Sequence, residues 1–471
     1  MEFEDNSNSE LPKGSVNPAD LLGSTPIWVP RGLEPVAIDT LVFAPNALRI
    51  HSRRQRRVLA KLIKKFGFCI PILVDQDNRI IAGELRVEVA KDLGMTHVPV
   101  VRIKHLTDPE IRALRIADNK LSEMSSWDKD VLAVELVELS EIIDIDLSGF
   151  PAAEIDLLIE ARIAKPNAQA LDDCPAVMSK APAVSKLHDI YMCGSSRIGC
   201  GDARDADFLA QLMNGQEAAQ YSGDFPYNLK IPGNVSGLGK IKHKDFAMAS
   251  GEMSDEEFFE FLVTTLRLAA RHCKDGALLY GFMDWRHVHQ LIEAGRAAGL
   301  SYFHKCVWTK FSPSMGAFYR NQYEEVVIFK KGDAPHTNNI ELGRYGRNRS
   351  NVWRYEGANS INPKRRKELA LHPTVKPAQL CIDAMLDCTK RGEIVLDTYL
   401  GSGTTLIAAE DCGRVCYGCE IEPHYVDVAI RRWQEFTGSN AIHEGTGLTF
   451  DEMARNRSRD ATLALPPPEH K

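Results

Sequence analysis

The sequence contains no run of 18 or more apolar residues, the minimum for a helix that spans a bilayer, so no membrane partner is expected. Its opening, MEFEDNSNSE, lacks the basic-then-apolar order of a secretory leader, and a cytoplasmic location follows as the expectation. Basic charge is not in excess either. A formal net charge of -7 excludes binding of nucleic acid over the whole surface and leaves that role to local patches. Cysteine is present in eleven copies, but only Cys416 and Cys419 stand at CxxC spacing, with no second pair or His pair nearby. A zinc site is therefore not expected, and the thiols are read as buried and free. No internal repeat of fixed period is visible.

What is present is an ordinary globular composition, 44% hydrophobic and 26% charged, over 471 residues, a length that suits two or three domains. Residues 1–33 are polar and broken by Pro and Gly, which predicts a disordered arm. Between 34 and 122, short apolar runs such as CIPILVD and VPVVRI alternate with helical patterns such as RRQRRVLAKLIKKFG, which predicts a compact α/β unit. A helical extension is expected over 123–163, an Ala- and Pro-rich linker over 164–186, a larger α/β domain over 187–438 and a tail over 439–471.

Two stretches of the large domain carry chemistry. In EIVLDTYLGSGTTLIAAEDCG a short strand leads into a loop with Gly401 and Gly403 and then a helix; glycines admit a ligand to the backbone, and free N–H groups at a helix start favour an anionic group. The following VCYGCEIEP is a second strand ending in Glu420, placed to accept from ribose hydroxyls. A lone GxG is a common turn, but the order strand, GxG, helix, strand, Glu is a nucleoside-binding pattern. The second stretch is DFPYN at 224–228. There the Asp224 carboxylate and the Phe225 carbonyl can each accept from an exocyclic amine, Pro226 fixes the turn, and Tyr227 can stack on a flat ring. Asp-X-Pro-Tyr also reads as a plain turn after a strand.

DFPYN, GSGTT with Glu420, IGCGDA at 198–203 and HPTVKP at 372–377 together resemble the amino-methyltransferases that act on adenine N6 or cytosine N4 of DNA. The order, base motif before cofactor loop, resembles their permuted β group. The resemblance implies an α/β S-adenosylmethionine-dependent methyltransferase fold, a Rossmann-like mixed sheet with helices on both faces. It implies S-adenosylmethionine as cofactor, with Asp202 on its adenine, Glu420 on its ribose, and Asp397, Tyr399, Gly401, Gly403, Thr404 and Lys376 around its methionine part. Asp224, Phe225, Pro226 and Tyr227 would hold a flipped base of double-stranded DNA. Two positions depart from the family pattern: Phe225 stands where a first proline is usual, and Thr398-Tyr399 where Pro-Phe is usual. Retained but weakened activity is expected. Asp224, in place of Ser, resembles the adenine enzymes.

Such enzymes place target recognition between the two motifs, here over 305–370, where Arg344, Arg347, Arg349 and Arg354 interleave with aromatics. Arginine and aromatics in alternation suit phosphate contact and base support, although a charge run is also a common solvated face. Residues 34–122 resemble the ParB-like domain, with GELRVEVA in place of its phosphate-cradling box and Leu85 where an Arg is usual. Arg53, Arg54, Arg56 and Arg57 form a candidate DNA-backbone patch beside it. The function expected is site-specific DNA methylation at adenine N6. The alternatives are a cytosine N4 enzyme, or a DNA-binding, partition-like regulator with an inactive methyltransferase domain. A homodimer and a partner endonuclease are the further partners considered, and residues 1–163 are expected to be dispensable for the chemistry.

Overall fold

The computed structural model describes residues 33–46, 48–160, 171–174, 182–228, 251–311, 313, 319–340, 347–355 and 376–463. Arg344, most of HPTVKP and the arm over 1–32 lie outside the described residues. The chain divides into two compact units: residues 1–128 with 147–149, and residues 129–146 with 150–471. Among the described residues no helix is long and apolar enough to cross a membrane.

The first unit contains β1 (Glu34–Ala37), α1 (Arg53–Phe66), β2 (Ile72–Val74), β3 (Ile80–Ala82), α2 (Glu84–Asp92), β4 (His97–Arg102) and α3 (Asp108–Met124). Its four-stranded sheet has the order β1-β4-β2-β3, and alternate residues Ile72, Val74, Val98 and Val100 pack with Val87 and Ala90 of α2, as period-2 strands over an amphipathic helix require. Gly83 caps α2 at φ +106°; a Cβ there would stand 2.7 Å from Ile72 Cδ1, so only glycine fits. Leu85, where the ParB-like box usually has Arg, is buried in this unit.

The second unit opens with α4 (Lys129–Ile142) and α5 (Ala152–Glu160) and continues through β5 (Ile190–Cys193), β6 (Ser196–Cys200), α6 (Ala206–Met213), β7 (Ala218–Asp224), α7 (Asp255–Arg271), β8 (Cys273–Met283), α8 (Val288–Ala297), β9 (Ser301–Thr309), β10 (Tyr323–Lys330) and β11 (Val352–Arg354). It closes with α9 (Ala378–Cys388), β12 (Ile394–Asp397), α10 (Thr404–Cys412), β13 (Val415–Glu420), α11 (Pro423–Thr437), β14 (Ile442–His443) and α12 (Phe450–Leu463). Among the described residues its sheet has ten strands in the order β11-β9-β10-β8-β7-β12-β13-β6-β5-β14. The central strands β8, β7, β12, β13 and β6 run parallel, and antiparallel strands flank them. Both faces are covered. Val326, Ile328 and Val395 pack with α9, α10 and α11, whereas their strand neighbours Val327, Phe329 and Leu396 pack with α7 and α8. That alternation explains why these strands read as continuous apolar runs.

Three segments depart from the expected organisation. The helical extension is part of the second unit's body: Arg414, with a fully buried side chain, makes two 2.8 Å bonds to the Asp156 carboxylate of α5. The described parts of 164–186 are stitched down, since Val184 and Ser185 donate to Asp427 at 2.7 and 2.9 Å and Leu171 accepts from Arg432 at 2.7 Å. Beyond 438 the chain is still folded: β14 pairs with β5 and Phe450 is fully buried, because its ring packs edge-on against Tyr191.

Candidate active site

Parallel strands present their carboxyl ends along one edge, the usual place for ligands in α/β sheets. Here β12 lies between β7 and β13, with Leu396 opposite Tyr221 and Asp397 opposite Gly418. Asp224, Asp397 and Glu420 therefore end three adjacent strands, and Asp202 follows the fourth, β6. The two motifs meet although the chain visits one long before the other.

On the β13 side, Glu420 accepts the Gly401 and Glu422 N–H groups, both at 3.0 Å. Burial raises its pKa, and these N–H groups oppose the rise. Asp397 accepts the Tyr399 N–H at 2.9 Å, and burial lifts its pKa to about 7. Gly403 begins α10 at φ +83°, where a Cβ would stand 2.8 Å from Ala429 Cβ; its freedom serves the approach of α11 to the loop. Thr404, expected at the cofactor, has its hydroxyl engaged at 3.2 Å by the buried Arg432, which also reaches the Ser402 carbonyl at 3.2 Å. Arg432 thus holds the GSGTT loop from beneath. Nothing in its sequence neighbourhood marks it, because the bond joins α11 to a loop thirty residues earlier.

Asp202 is bridged by Arg204 at 2.8 and 3.1 Å and borders a cleft of about 780 Å³ whose walls include Arg204, Met253, Glu257, Glu260 and Phe261. That volume suits a nucleoside. Acidic side chains at neighbouring strand ends, beside a positive-φ loop, are the acceptor set a nucleoside cofactor's hydroxyl and amino groups require, and the residues fit one. The cleft walls do not include Glu420 or the glycine loop, so the strand-end geometry, rather than the cleft, defines the site.

On the β7 side, Asp224 has a raised pKa because burial outweighs the adjacent Lys376 ammonium. Lys376, expected near the methionine part of a cofactor, instead forms an ion pair with Asp224 and lies 4.5 Å over the Phe282 ring. Tyr227 donates to Glu324 of β10 at 2.9 Å and stands 3.4 Å from Asp224, and Lys310 grips the other Glu324 oxygen at 2.5 Å. Asn228, at φ +51°, accepts from Gly251 at 3.1 Å and donates to the Met253 carbonyl at 2.9 Å, anchoring the exit of the turn. The Phe225 side chain turns away from this pocket into the core, 1% exposed and 5.4 Å from Tyr399. The Tyr399 hydroxyl finds its partner in Thr265 at 3.0 Å.

The arginines divide. Arg347 and Arg349 are not free for DNA: Arg347 bonds Asp387 at 2.7 Å and Arg349 bonds Asp387 at 2.7 Å and Tyr355 at 2.8 Å, with side chains 13% and 16% exposed. Two carboxylates on α9, Asp383 and Asp387, draw both guanidinium groups inward. Arg354 is exposed on β11. On α1, Arg56 is paired with Glu88 and lies 3.9 Å from Asp92, and Arg54 donates to the Gly149 carbonyl at 3.2 Å. Arg53 and Arg57 are exposed.

The edge described here defines an α/β domain that places a nucleoside-type pocket beside an Asp-Phe-Pro-Tyr pocket. Residues 222–431 match the DNA methylase family, 33–120 the ParB N-terminal domain and 130–187 the ParB-methyltransferase HTH domain. The chain carries a ParB N-terminal domain followed by an N6/N4 DNA methylase domain. It is 27% identical to the type II methyltransferase M2.DpnII of Streptococcus pneumoniae, over 46% of this chain and 82% of that protein. It is 44% identical to the ParB-like nuclease domain-containing protein YnaK of Escherichia coli (strain K12), over 14% of this chain and 77% of that one. Among solved structures, the cytosine-N4-specific PvuII DNA methyltransferase is similar at a TM-score of 0.40 and 15% identity, covering 56% of this chain and 92% of that one.

Proposed function

We propose that the chain transfers a methyl group from S-adenosylmethionine to adenine N6 in duplex DNA. One observation carries the reading: Asp224 and Asp397 end neighbouring parallel strands, so a base held at the first faces a cofactor held at the second. Asp202, Asp397 and Glu420 would hold S-adenosylmethionine, which when bound would supply an electrophilic methyl group. Asp224 and the Phe225 carbonyl accept the two N–H bonds of the target amine, which turns its lone pair toward that methyl group. On taking the methyl group, the amine would have to shed one proton. Asp224, with its raised pKa, is suited to receive it. Lys376 occupies one Asp224 oxygen, and the amine would share the carboxylate with it. Tyr227 offers its ring to the base, and its hydroxyl is already satisfied by Glu324. Orientation supplies most of the acceleration, because an aligned amine needs little acid–base help.

Support for adenine rests on Asp at the first motif position, and cytosine N4 is the second reading. Labelled S-adenosylmethionine with mixed-sequence duplex DNA, followed by separation of the methylated nucleosides, tests both. N6-methyladenine is the expected product, and Asp224→Ala is expected to abolish it. Label on cytosine would replace adenine as the target, and no label above the Asp224→Ala background would overturn the activity.

A further inference from the structure

Tyr227 stands where a displaced base would stack, and within the DFPYN turn its phenol ring is held only by a long 3.4 Å contact of its hydroxyl with Asp224. Asn228 anchors the backbone, while the Tyr227 side chain keeps its own rotations. The shorter bond to that hydroxyl comes from the far side of β8. The Tyr227 hydroxyl donates at 2.9 Å to Glu324, near the start of β10. Glu324 in turn receives Lys310, the residue that follows β9, at 2.5 Å, and the Lys310 ammonium lies 5.1 Å over the Trp308 ring. Side chains of Glu324 and Lys310 are 17% and 22% exposed.

Stability does not explain this arrangement, because a largely buried ion pair rarely outperforms an apolar pair of the same volume. Nor is Glu324 placed to take the proton released in the reaction. Burial would raise its pKa, but Lys310 and Lys376 outweigh burial and hold it below the ordinary carboxylate range. It remains an acceptor for the Tyr227 hydroxyl, which burial keeps protonated by pushing its pKa well above 10. Two carboxylates, Asp224 and Glu324, and two ammonium groups, Lys310 and Lys376, close the network with no net charge.

We propose that Glu324, gripped by Lys310, is a positioning residue that locks the Tyr227 ring in the orientation that receives the flipped base. The inference rests on the methylation reading above. It also links the β9–β10 pair to the reacting end of β7 through three side chains, Lys310, Glu324 and Tyr227.

The test uses the full chain and the site first mapped by sequencing methylated DNA. Glu324→Leu, Glu324→Gln, Tyr227→Phe and the double variant Tyr227→Phe with Glu324→Leu are compared for kcat, for KM of S-adenosylmethionine and for melting temperature. Emission from 2-aminopurine at or beside the mapped base reports flipping. Glu324→Leu is expected to lower kcat about tenfold and to reduce the emission rise, with the cofactor KM unchanged; the double variant should be no slower than the slower single, since both remove one hydrogen bond. Glu324→Gln, which keeps an acceptor oxygen, should recover most of the loss. The inference is overturned if the two effects multiply, if Glu324→Leu matches wild type in kcat and emission, or if only the melting temperature falls. Failure of the wild-type chain to methylate any DNA at the mapping stage would instead refute the methylation reading, and the emission series, run on a duplex selected by its binding to the chain, would still decide the role of Glu324.

Discussion

Phe225 and Tyr399, the residues at the two positions where this chain departs from the usual methylase motifs, touch each other, with ring centroids 5.4 Å apart and planes inclined by 59°. The bulk of Phe225 is buried against Tyr399, and the Tyr399 hydroxyl reaches Thr265. Each change alone would disturb a motif. Together they form an aromatic contact beneath both pockets while leaving the Asp224 carboxylate and the Phe225 carbonyl in place. Phe225→Ala should destabilise the fold by about 3–5 kcal/mol, as a vacated core ring does, and Tyr399→Phe by about 1 kcal/mol for one hydrogen bond. Urea unfolding measures both.

The buried Arg414–Asp156 pair predicts where the chain can be cut. A fragment starting near Val184 leaves the Arg414 guanidinium buried without its carboxylate, a defect of roughly 3–5 kcal/mol, so it should be insoluble or unfolded by circular dichroism. A fragment starting just before Lys129 keeps α4 and α5 and should fold. The expectation that residues 1–163 are dispensable is therefore replaced by a limit near residue 128.

Asp397 makes stability depend on pH. Its folded pKa of about 7 lies above the ordinary carboxylate value of 3.8 because it is buried, so between those values the folded chain holds a proton that the unfolded chain has lost. Its contribution is fully present at low pH and is lost as pH rises through about 7. Asp397→Asn, which keeps the Tyr399 bond without the charge, should flatten the fall in urea stability between about pH 4 and 7.

Among the described candidate arginines, Arg53 and Arg57 on α1 and Arg354 on β11 are exposed and open to phosphate. Replacing each with Gln should weaken DNA binding and lower the slope of log affinity against log salt by about 1 for every phosphate no longer neutralised. Arg349→Gln should act differently. It should lower the melting temperature by breaking the bonds to Asp387, and leave the salt slope unchanged.

Local patterns make the site legible: a strand, two glycines, a helix and a strand ending in Glu420 lie within thirty residues, and DFPYN is contiguous. Glu324 and Lys310 read only as residues of apolar strand runs, because nothing in KCVWTK or EEVVIFKK reveals that β10 lies between β9 and β8. Arg347 and Arg349 mislead for the same reason. A run of arginines shows charge but not which neighbours face it, and Asp383 and Asp387 come from a helix more than thirty residues on. The segment beyond 438 reads as a tail because β14 is only two residues long and acquires meaning only beside β5.

The placement of β12 between β7 and β13 sets a schedule for synthesis. β7 leaves the ribosome with one edge soon occupied by β8, while its other edge waits until Ile394–Asp397 has been made; at roughly 5–20 residues per second that delay is on the order of ten seconds or more. β6 waits as well, for β13. The nascent protein therefore exists as two half-sheets with apolar open edges, and the strand that carries Asp397 is the keystone that joins them. Translation speed through residues 225–393 and access to a chaperone during that interval should govern how much protein reaches the native state, independently of its final stability.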